Sequence, residues 1–117
     1  MKLYIAGPIK GKADKNESAF RLVERKLQSL GYTTIVPLDI PPHKHEGNCP
    51  GNTSEAGEGE HKSGCYMRND IIAMLKCDGI ILLDGWENFA GARIEFLTAQ
   101  ACGLEIKYQS DYFKETI

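Results

Sequence analysis

The chain has 117 residues, enough for one domain with its own hydrophobic core. Its net charge of −2 gives no electrostatic basis for binding polymeric nucleic acid or a membrane surface, and no apolar run approaches the roughly 18 residues of a transmembrane helix. The apolar run after Met1 is too short for a secretory signal peptide, so we expect a cytoplasmic protein. In that compartment the four cysteines predict no disulfide framework.

The first third of the chain alternates between strand and helix patterns. Residues 2–7, KLYIAG, predict a strand that ends in a glycine-proline turn. From about residue 16 to 30, apolar residues recur at helical spacing, and Gly31 is well placed to end that helix. Residues 32–37, YTTIVP, predict a second strand stopped by its proline.

The rest of the chain repeats this alternation after a long interruption. Residues 38–64 are rich in glycine, proline and polar residues, which predicts a long polar loop. Helical spacing resumes at 66–77, and the apolar run at 78–85, DGIILLDG, is typical of a central parallel strand. Residues 91–103 predict a third helix, and 104–108 a last short strand.

The helical spacing also predicts which side chains face the sheet. The residues expected to be buried are Phe20, Val23, Leu27 and Leu30 in the first helix, Met67, Ile71, Met74 and Leu75 in the second, and Ile94, Leu97 and Ala101 in the third.

Strands alternating with helices predict an α/β fold. We expect one domain over residues 1–117, a Rossmann-like layer sandwich with a four- to five-stranded parallel sheet flanked by helices. Ligands of such folds bind at the carboxyl ends of the strands. Three segments are predicted to meet there: the turn at 7–12, the region 38–70, and the turn after the DGIILLDG strand.

Several polar residues in these segments are candidates for chemistry. Glu95 lies in the first turns of its helix, where the helix dipole favours an ionised carboxylate, although an ordinary surface glutamate fits equally well. Asp70 lies near a predicted helix start, where a capping role is the alternative. Tyr4 is placed to hydrogen-bond a carboxylate at the same sheet edge. Lys10 or Lys12, with the turn's backbone amides, could hold an anion or could be solvated.

Four motifs occur in an order that resembles a known family. LYIAGPIKG, RND, CDGIILLDGWE and GARIEFLTAQACG together resemble the nucleoside 2-deoxyribosyltransferase superfamily, which includes the deoxynucleoside 5′-monophosphate N-glycosidases. The resemblance spans most of the chain and leaves out the loop at 41–64 and the tail. It implies an enzyme that cleaves or transfers the N-glycosidic bond of a (deoxy)nucleoside or nucleoside 5′-monophosphate through a covalent glycosyl-glutamate intermediate.

The resemblance also implies roles for individual residues. Glu95 matches the nucleophile, Asp70 the carboxylate that binds substrate and assists proton transfer, and Tyr4 the tyrosine that orients the nucleophile. The turn that contacts phosphate in the nucleotide-cleaving branch corresponds to Gly7, Ile9, Lys10 and Gly11. The other residues assigned to substrate binding are Asn69, Trp86, Asn88, Gly91 and Arg93.

Two positions depart from the family pattern. Phe89 stands where nucleotide-cleaving relatives usually carry a phosphate-binding serine, and Arg93 replaces a common glycine. Arg93 and Lys10 could supply the cations instead. Trp86 could stack on a base, or belong to the core or to an interface. The family's site tends to be completed by a neighbouring subunit's tail, here through Ser110 or Tyr112, so a homodimer or higher homo-oligomer is expected.

Two other functions fit the sequence. A nucleotide-binding or sequestering module without catalysis would use the same fold. Five histidine and cysteine residues at 43–65 could together hold a structural zinc ion. Their spacings match no standard zinc pattern, and they are more readily explained as polar residues of a loop. These residues are His43, His45, Cys49, His61 and Cys65. Our assignment contains no metal ligand and no cofactor, and the expected partner is a small-molecule nucleoside or nucleotide.

Overall fold

The computed structural model describes residues 1–46, 49 and 63–113, and within them the chain forms an α/β layer sandwich. The strands are β1 (Lys2–Ala6), β2 (Thr33–Ile35), β3 (Gly79–Leu82) and β4 (Glu105–Tyr108). The α-helices are α1 (Glu17–Ser29), α2 (Ser63–Leu75) and α3 (Ala90–Ala101). The sheet has the order β2-β1-β3-β4, and every pairing is parallel. The predicted fold class is confirmed, with four strands; part of the predicted loop, at 47, 48 and 50–62, lies outside the described residues.

Strand β1 lies inside the sheet and carries the core on both faces. Leu3 and Ile5 pack with the buried side of α1, whereas Tyr4 and Ala6 point to the opposite face, which α2 and α3 cover. This alternation follows from the two-residue period of a strand. It directs Tyr4, a side chain with a polar end, towards the layer that holds α3.

The buried faces of all three predicted helices differ in part from the prediction. Five residues expected to face the sheet are exposed: Leu30, Leu75, Ile94, Leu97 and Ala101. In α3 the buried positions are Ala92, Glu95 and Ala99. Two alanines at this spacing let the helix approach the sheet closely, which turns the larger Ile94 and Leu97 outward.

The order of the strands locates a cleft. The chain passes from β1 to β2 on one side of β1, and β3 pairs on its other side, so the helices that follow β1 and β3 lie on opposite faces of the sheet. Ligand-binding crevices of open α/β sheets form at such a switch point, beside the carboxyl ends of the strands.

The first helix ends as predicted, with Gly31 at φ +92° just beyond it.

Among the described residues, no helix combines the length and the apolar composition that a membrane crossing requires.

Candidate active site

A cavity of about 600 Å³ opens at the carboxyl ends of β1, β2 and β3. Its walls come from residues within 7–15 after β1, 37–40 after β2, 66–70 of α2, and 88–95 after β3. This volume lies in the range of pockets that enclose small organic ligands. The convergence of these segments agrees with the location predicted from the sequence.

Glu95 lines this cavity and is hydrogen-bonded to Tyr4, a buried residue that is not itself part of the lining. The hydroxyl of Tyr4 donates a hydrogen bond to Oε2 of Glu95, and both side chains are almost fully buried, with Glu95 4% exposed. Burial raises the pKa of Tyr4 well above its usual 10, so the hydroxyl keeps its proton and remains a donor. The pair therefore fixes one carboxyl oxygen of Glu95 and leaves its carboxyl group at the cavity wall.

The charge state of Glu95 differs from the expectation. Burial raises its pKa to about 8; the Tyr4 hydrogen bond opposes this shift and the charge of Asp70 adds to it. The sequence predicts that the helix dipole favours an ionised Glu95. Burial acts in the opposite direction, because removing a carboxylate from water disfavours its charged form.

Asp70 faces the same cavity and is 8% exposed. Burial raises its pKa to about 7, and its Oδ1 atom is buried without a hydrogen-bond partner in the described part of the chain. Since α2 begins at Ser63, Asp70 lies two turns inside the helix, so the capping interpretation is wrong. A buried carboxyl oxygen without a partner beside a cavity is suited to accept a hydrogen bond from a ligand.

The turn after β1 brings positive charge to the cavity. Gly7 has no room for a side chain, because a Cβ atom there would lie 2.7 Å from Cβ of Leu83. This close approach holds the turn against the end of β3. Three lysines of the following segment line the cavity: Lys10, Lys12 and Lys15. They form a cationic rim suited to an anionic group on a ligand.

The segment after β3 forms the opposite wall. Phe89 lines the cavity, and Nζ of Lys12 lies 5.6 Å from the centre of its ring. Asn88 and Gly91 also line it, as predicted for substrate-binding residues. The wall thus combines an aromatic surface with a nearby cation, which suits a ligand that has a flat apolar part and a charged part.

A profile of the family described as Domain of unknown function (DUF4406) matches residues 1–108. The chain belongs to this family. The matched region includes all the strands and helices named above and every wall of the cavity. Among curated proteins, no match to the sequence was found. Membership of DUF4406 therefore leaves the function to be argued from the geometry of the site.

Two predicted substrate-binding residues of this DUF4406 protein lie outside the cavity walls. The ring of Trp86 packs against that of Phe96, with 4.8 Å between the ring centres, on the face of the sheet covered by α3. Arg93 is exposed, and its guanidinium donates to the carbonyl oxygen of Glu87 at 3.1 Å. Of the two cations expected to replace the missing serine, only Lys10 lies at the cavity.

Two further residues that were expected at the site, Asn69 and Tyr112, contact other parts of the chain. Nδ2 of Asn69 donates to the carbonyl oxygen of Pro41 at 3.0 Å, which links α2 to the loop after β2. Tyr112 packs edge-on against Tyr32 of the same chain, with 6.1 Å between the ring centres. This tail residue is therefore engaged in its own subunit.

Several residues beyond those predicted line the cavity. Leu38, Ile40 and Met67 supply apolar surface to the cavity, and Tyr66 and Lys15 also line it. The position of Leu38 and Ile40 directly after β2 is a signal that could have located them, since carboxyl ends of neighbouring strands share one edge. The inward direction of Met67 and Tyr66 depends on how α2 is rotated, which the sequence does not specify.

An ion pair holds the segment after β2 in place. Arg21 of α1 donates two hydrogen bonds to the carboxylate of Asp39, at 2.6 and 2.9 Å. The guanidinium lowers the pKa of Asp39, so this carboxylate stays ionised near neutral pH. The two-pronged contact fixes the orientation of the apolar wall between β2 and the long loop.

Three of the residues considered for zinc lie together at the side of α2. The potential ligand atoms of His45, Cys49 and Cys65 are all within 4.8 Å of one another. His43 contributes its backbone to the same region, and His61 lies outside the described residues. None of the three clustered residues is among those that line the cavity.

Proposed function

We propose that the protein cleaves or transfers the N-glycosidic bond of a (deoxy)nucleoside or nucleoside 5′-monophosphate, with Glu95 as the nucleophile. The observation that carries the proposal is the buried Tyr4–Glu95 hydrogen bond beside a second buried carboxyl group, Asp70, at one cavity. The resemblance to the nucleoside 2-deoxyribosyltransferase superfamily assigns these three residues to these three roles. The structure brings together the three residues to which the resemblance assigns these roles, and this agreement supports the proposal.

The reaction needs one carboxylate and one carboxylic acid. An oxygen of Glu95 attacks C1′ of the sugar, the C1′–N bond breaks, and Asp70 donates a proton to the departing base. Water or a second base then attacks C1′, releases Glu95 and returns a proton to Asp70. Because both carboxyl groups have raised pKa values and interact, they hold about one proton between them near neutral pH. The Tyr4 hydrogen bond favours the negative charge on Glu95, but the pKa of Glu95, about 8, still lies above that of Asp70, about 7. The proton must therefore pass from Glu95 to Asp70 before the first step.

The cavity is suited to the parts of such a substrate. Met67 and Phe89 give it apolar walls for a base, and the lysine rim, Lys10, Lys12 and Lys15, suits a 5′-phosphate. Phe89 itself cannot replace the hydroxyl of the missing serine. The lysines support recognition of phosphate by charge rather than by a serine hydrogen bond.

A direct test is to incubate the protein with a panel of nucleosides and 5′-monophosphates and to follow the free base by chromatography. We expect release or exchange of base with at least one substrate and a loss of several orders of magnitude in Glu95→Gln. Glu87→Gln is the matched control, since Glu87 is an exposed glutamate outside the cavity walls and should retain full activity. Intact-protein mass spectrometry should detect the glycosyl adduct in wild type and not in Glu95→Gln.

One observation favours a non-catalytic nucleotide-binding module as the second candidate. A pKa of about 8 keeps much of Glu95 protonated at neutral pH, which weakens a nucleophile. A binding module would show saturable binding of a nucleotide, no base release by wild type, and unchanged binding in Glu95→Ala. Turnover by wild type that Glu95→Gln abolishes excludes it.

A further inference from the structure

A cluster of two thiols and one imidazole lies beside the first turns of α2. The ligand atoms of His45, Cys49 and Cys65 lie within 4.8 Å of one another, although the three residues come from the long loop and from a helix. Cys65 is buried, and the other two side chains are half-buried. The cluster is separate from the cavity walls, so the proposed glycosidic chemistry gives it no role.

We propose that His45, Cys49 and Cys65 bind one structural Zn²⁺ ion that holds the long loop against α2. Two thiolates and an imidazole are the ligands that Zn²⁺ prefers in structural sites. Zn–S distances of about 2.3 Å and Zn–N distances of about 2.0 Å place tetrahedral ligand atoms roughly 3.5 to 3.8 Å apart. The cluster reaches this geometry when its atoms close by about 1 Å, which side-chain rotation supplies, and one further donor completes the four-coordinate shell.

The backbone around the cluster holds the loop in position for this role. The amide of His43 donates to the carbonyl of Cys65 at 3.0 Å, and the Cys65 thiol donates to the carbonyl of His43 at 3.2 Å. The Asn69 bond to Pro41 adds a third link one turn farther along α2. Three links between residues 41–43 of the loop and residues 65–69 of α2 align the two segments, and two of these links involve no side chain of the cluster.

The ligands come from two segments that are distant in sequence. His45 and Cys49 are separated by three residues of the loop, and Cys65 comes from the first turn of α2. Binding of Zn²⁺ releases the protons of both thiols, and the ion balances the charge that they leave in a half-buried place. This proposal departs from the prediction that the chain has no metal ligand.

The test is elemental analysis of full-length protein expressed without a histidine tag and purified without chelator. We expect one equivalent of zinc per chain, lost from Cys49→Ser and His45→Ala. Cys102→Ser is the matched control, since this exposed cysteine follows α3, far from the ligand set in sequence, and should keep the metal. Circular dichroism shows whether each variant is folded. Cys49→Ser is a milder change than His45→Ala, because serine has nearly the size and shape of cysteine.

Reconstitution gives a second readout. After removal of the metal, addition of Co²⁺ should produce the thiolate-to-cobalt charge-transfer absorption of a site with two cysteine ligands, and Cys49→Ser should weaken it. Folded wild type that retains no zinc and gives no cobalt absorption would overturn the proposal. So would metal retained at full stoichiometry in Cys49→Ser and His45→Ala, or a Cys49–Cys65 disulfide detected by mass spectrometry under reducing purification.

Discussion

The buried carboxyl group of Glu95 makes a prediction about stability that does not depend on any substrate. Glu95→Gln keeps the size of the side chain and an oxygen that can accept the Tyr4 hydrogen bond, but it removes the charge. The pKa of Glu95 is about 8 in the folded protein against an ordinary 4.5. Between these two values the folded protein binds more protons than the unfolded chain, so the free energy of unfolding of wild type falls as the pH rises.

The size of the effect follows from the same two values. One pKa unit corresponds to about 1.4 kcal/mol, so ionising Glu95 in the folded protein costs roughly 4 to 5 kcal/mol above pH 8. Part of the shift comes from the charge of Asp70, so this figure is a ceiling. Glu95→Gln should match wild type near pH 4 and exceed its free energy of unfolding by a few kcal/mol at pH 9. Such a gain is a large fraction of the usual 5 to 15 kcal/mol of a folded domain.

Urea unfolding at pH 4.5, 7 and 9, followed by circular dichroism, measures this difference. Glu87→Gln removes an exposed glutamate and should stay parallel to wild type at every pH. A difference between Glu95→Gln and wild type that is the same at all three pH values would contradict the reasoning. That result would mean that Glu95 titrates near its ordinary pKa in the folded protein.

Three further predictions concern the cavity and the outer helix faces. Tyr4→Phe removes a hydrogen bond that lowers the pKa of Glu95, so the acidic limb of the pH–rate profile should move to higher pH. At pH 7, kcat should fall roughly ten- to a hundredfold. An acidic limb that does not move would contradict the role of Tyr4. Lys12→Ala should raise KM for a monophosphate roughly tenfold without changing KM for the nucleoside. An equal change for both substrates would mean that the lysine rim does not recognise phosphate. Ile94 and Leu97 are 45% and 59% exposed, and the expected homo-oligomer could bury them. The double substitution Ile94→Asp, Leu97→Asp should then reduce the mass measured by light scattering. An unchanged mass would place the interface elsewhere.

The parts of the fold that could be predicted are those where pattern and burial coincide. The run at 79–83 carries no polar side chain because β3 is covered on both faces, and α1 has one buried side and one solvated side. In α3 the prediction of the buried face was wrong. A buried Glu95 stabilised by Tyr4 breaks the apolar periodicity, and flanking alanines carry little hydrophobic signal, so Ile94 and Leu97 dominate the pattern while facing outward.

The candidate site shows the same division. Parallel topology brings the ends of β1 and β3 to one edge, which is enough to predict that Tyr4 and Glu95 approach each other. The direction of the Glu95 pKa shift could not be predicted, because it depends on how completely the neighbouring layers exclude water. The position of Trp86 just after β3 likewise did not specify a face of the sheet, and its ring packs into the layer of α3.

Helix α2 connects the proposed zinc site to the cavity while keeping their chemistry apart. Cys65 and Asp70 are five residues apart, which in an α-helix means a rise of about 7.5 Å and a rotation of about 140° between their directions. A metal ion on one side of the helix therefore fixes its position against the loop without entering the cavity on the other side. Asp70 and Met67 line the cavity from this same helix, whereas the Tyr4–Glu95 pair is held by the sheet and α3. Loosening the loop should therefore change the shape of the cavity and the affinity for substrate more than it changes the Tyr4–Glu95 pair.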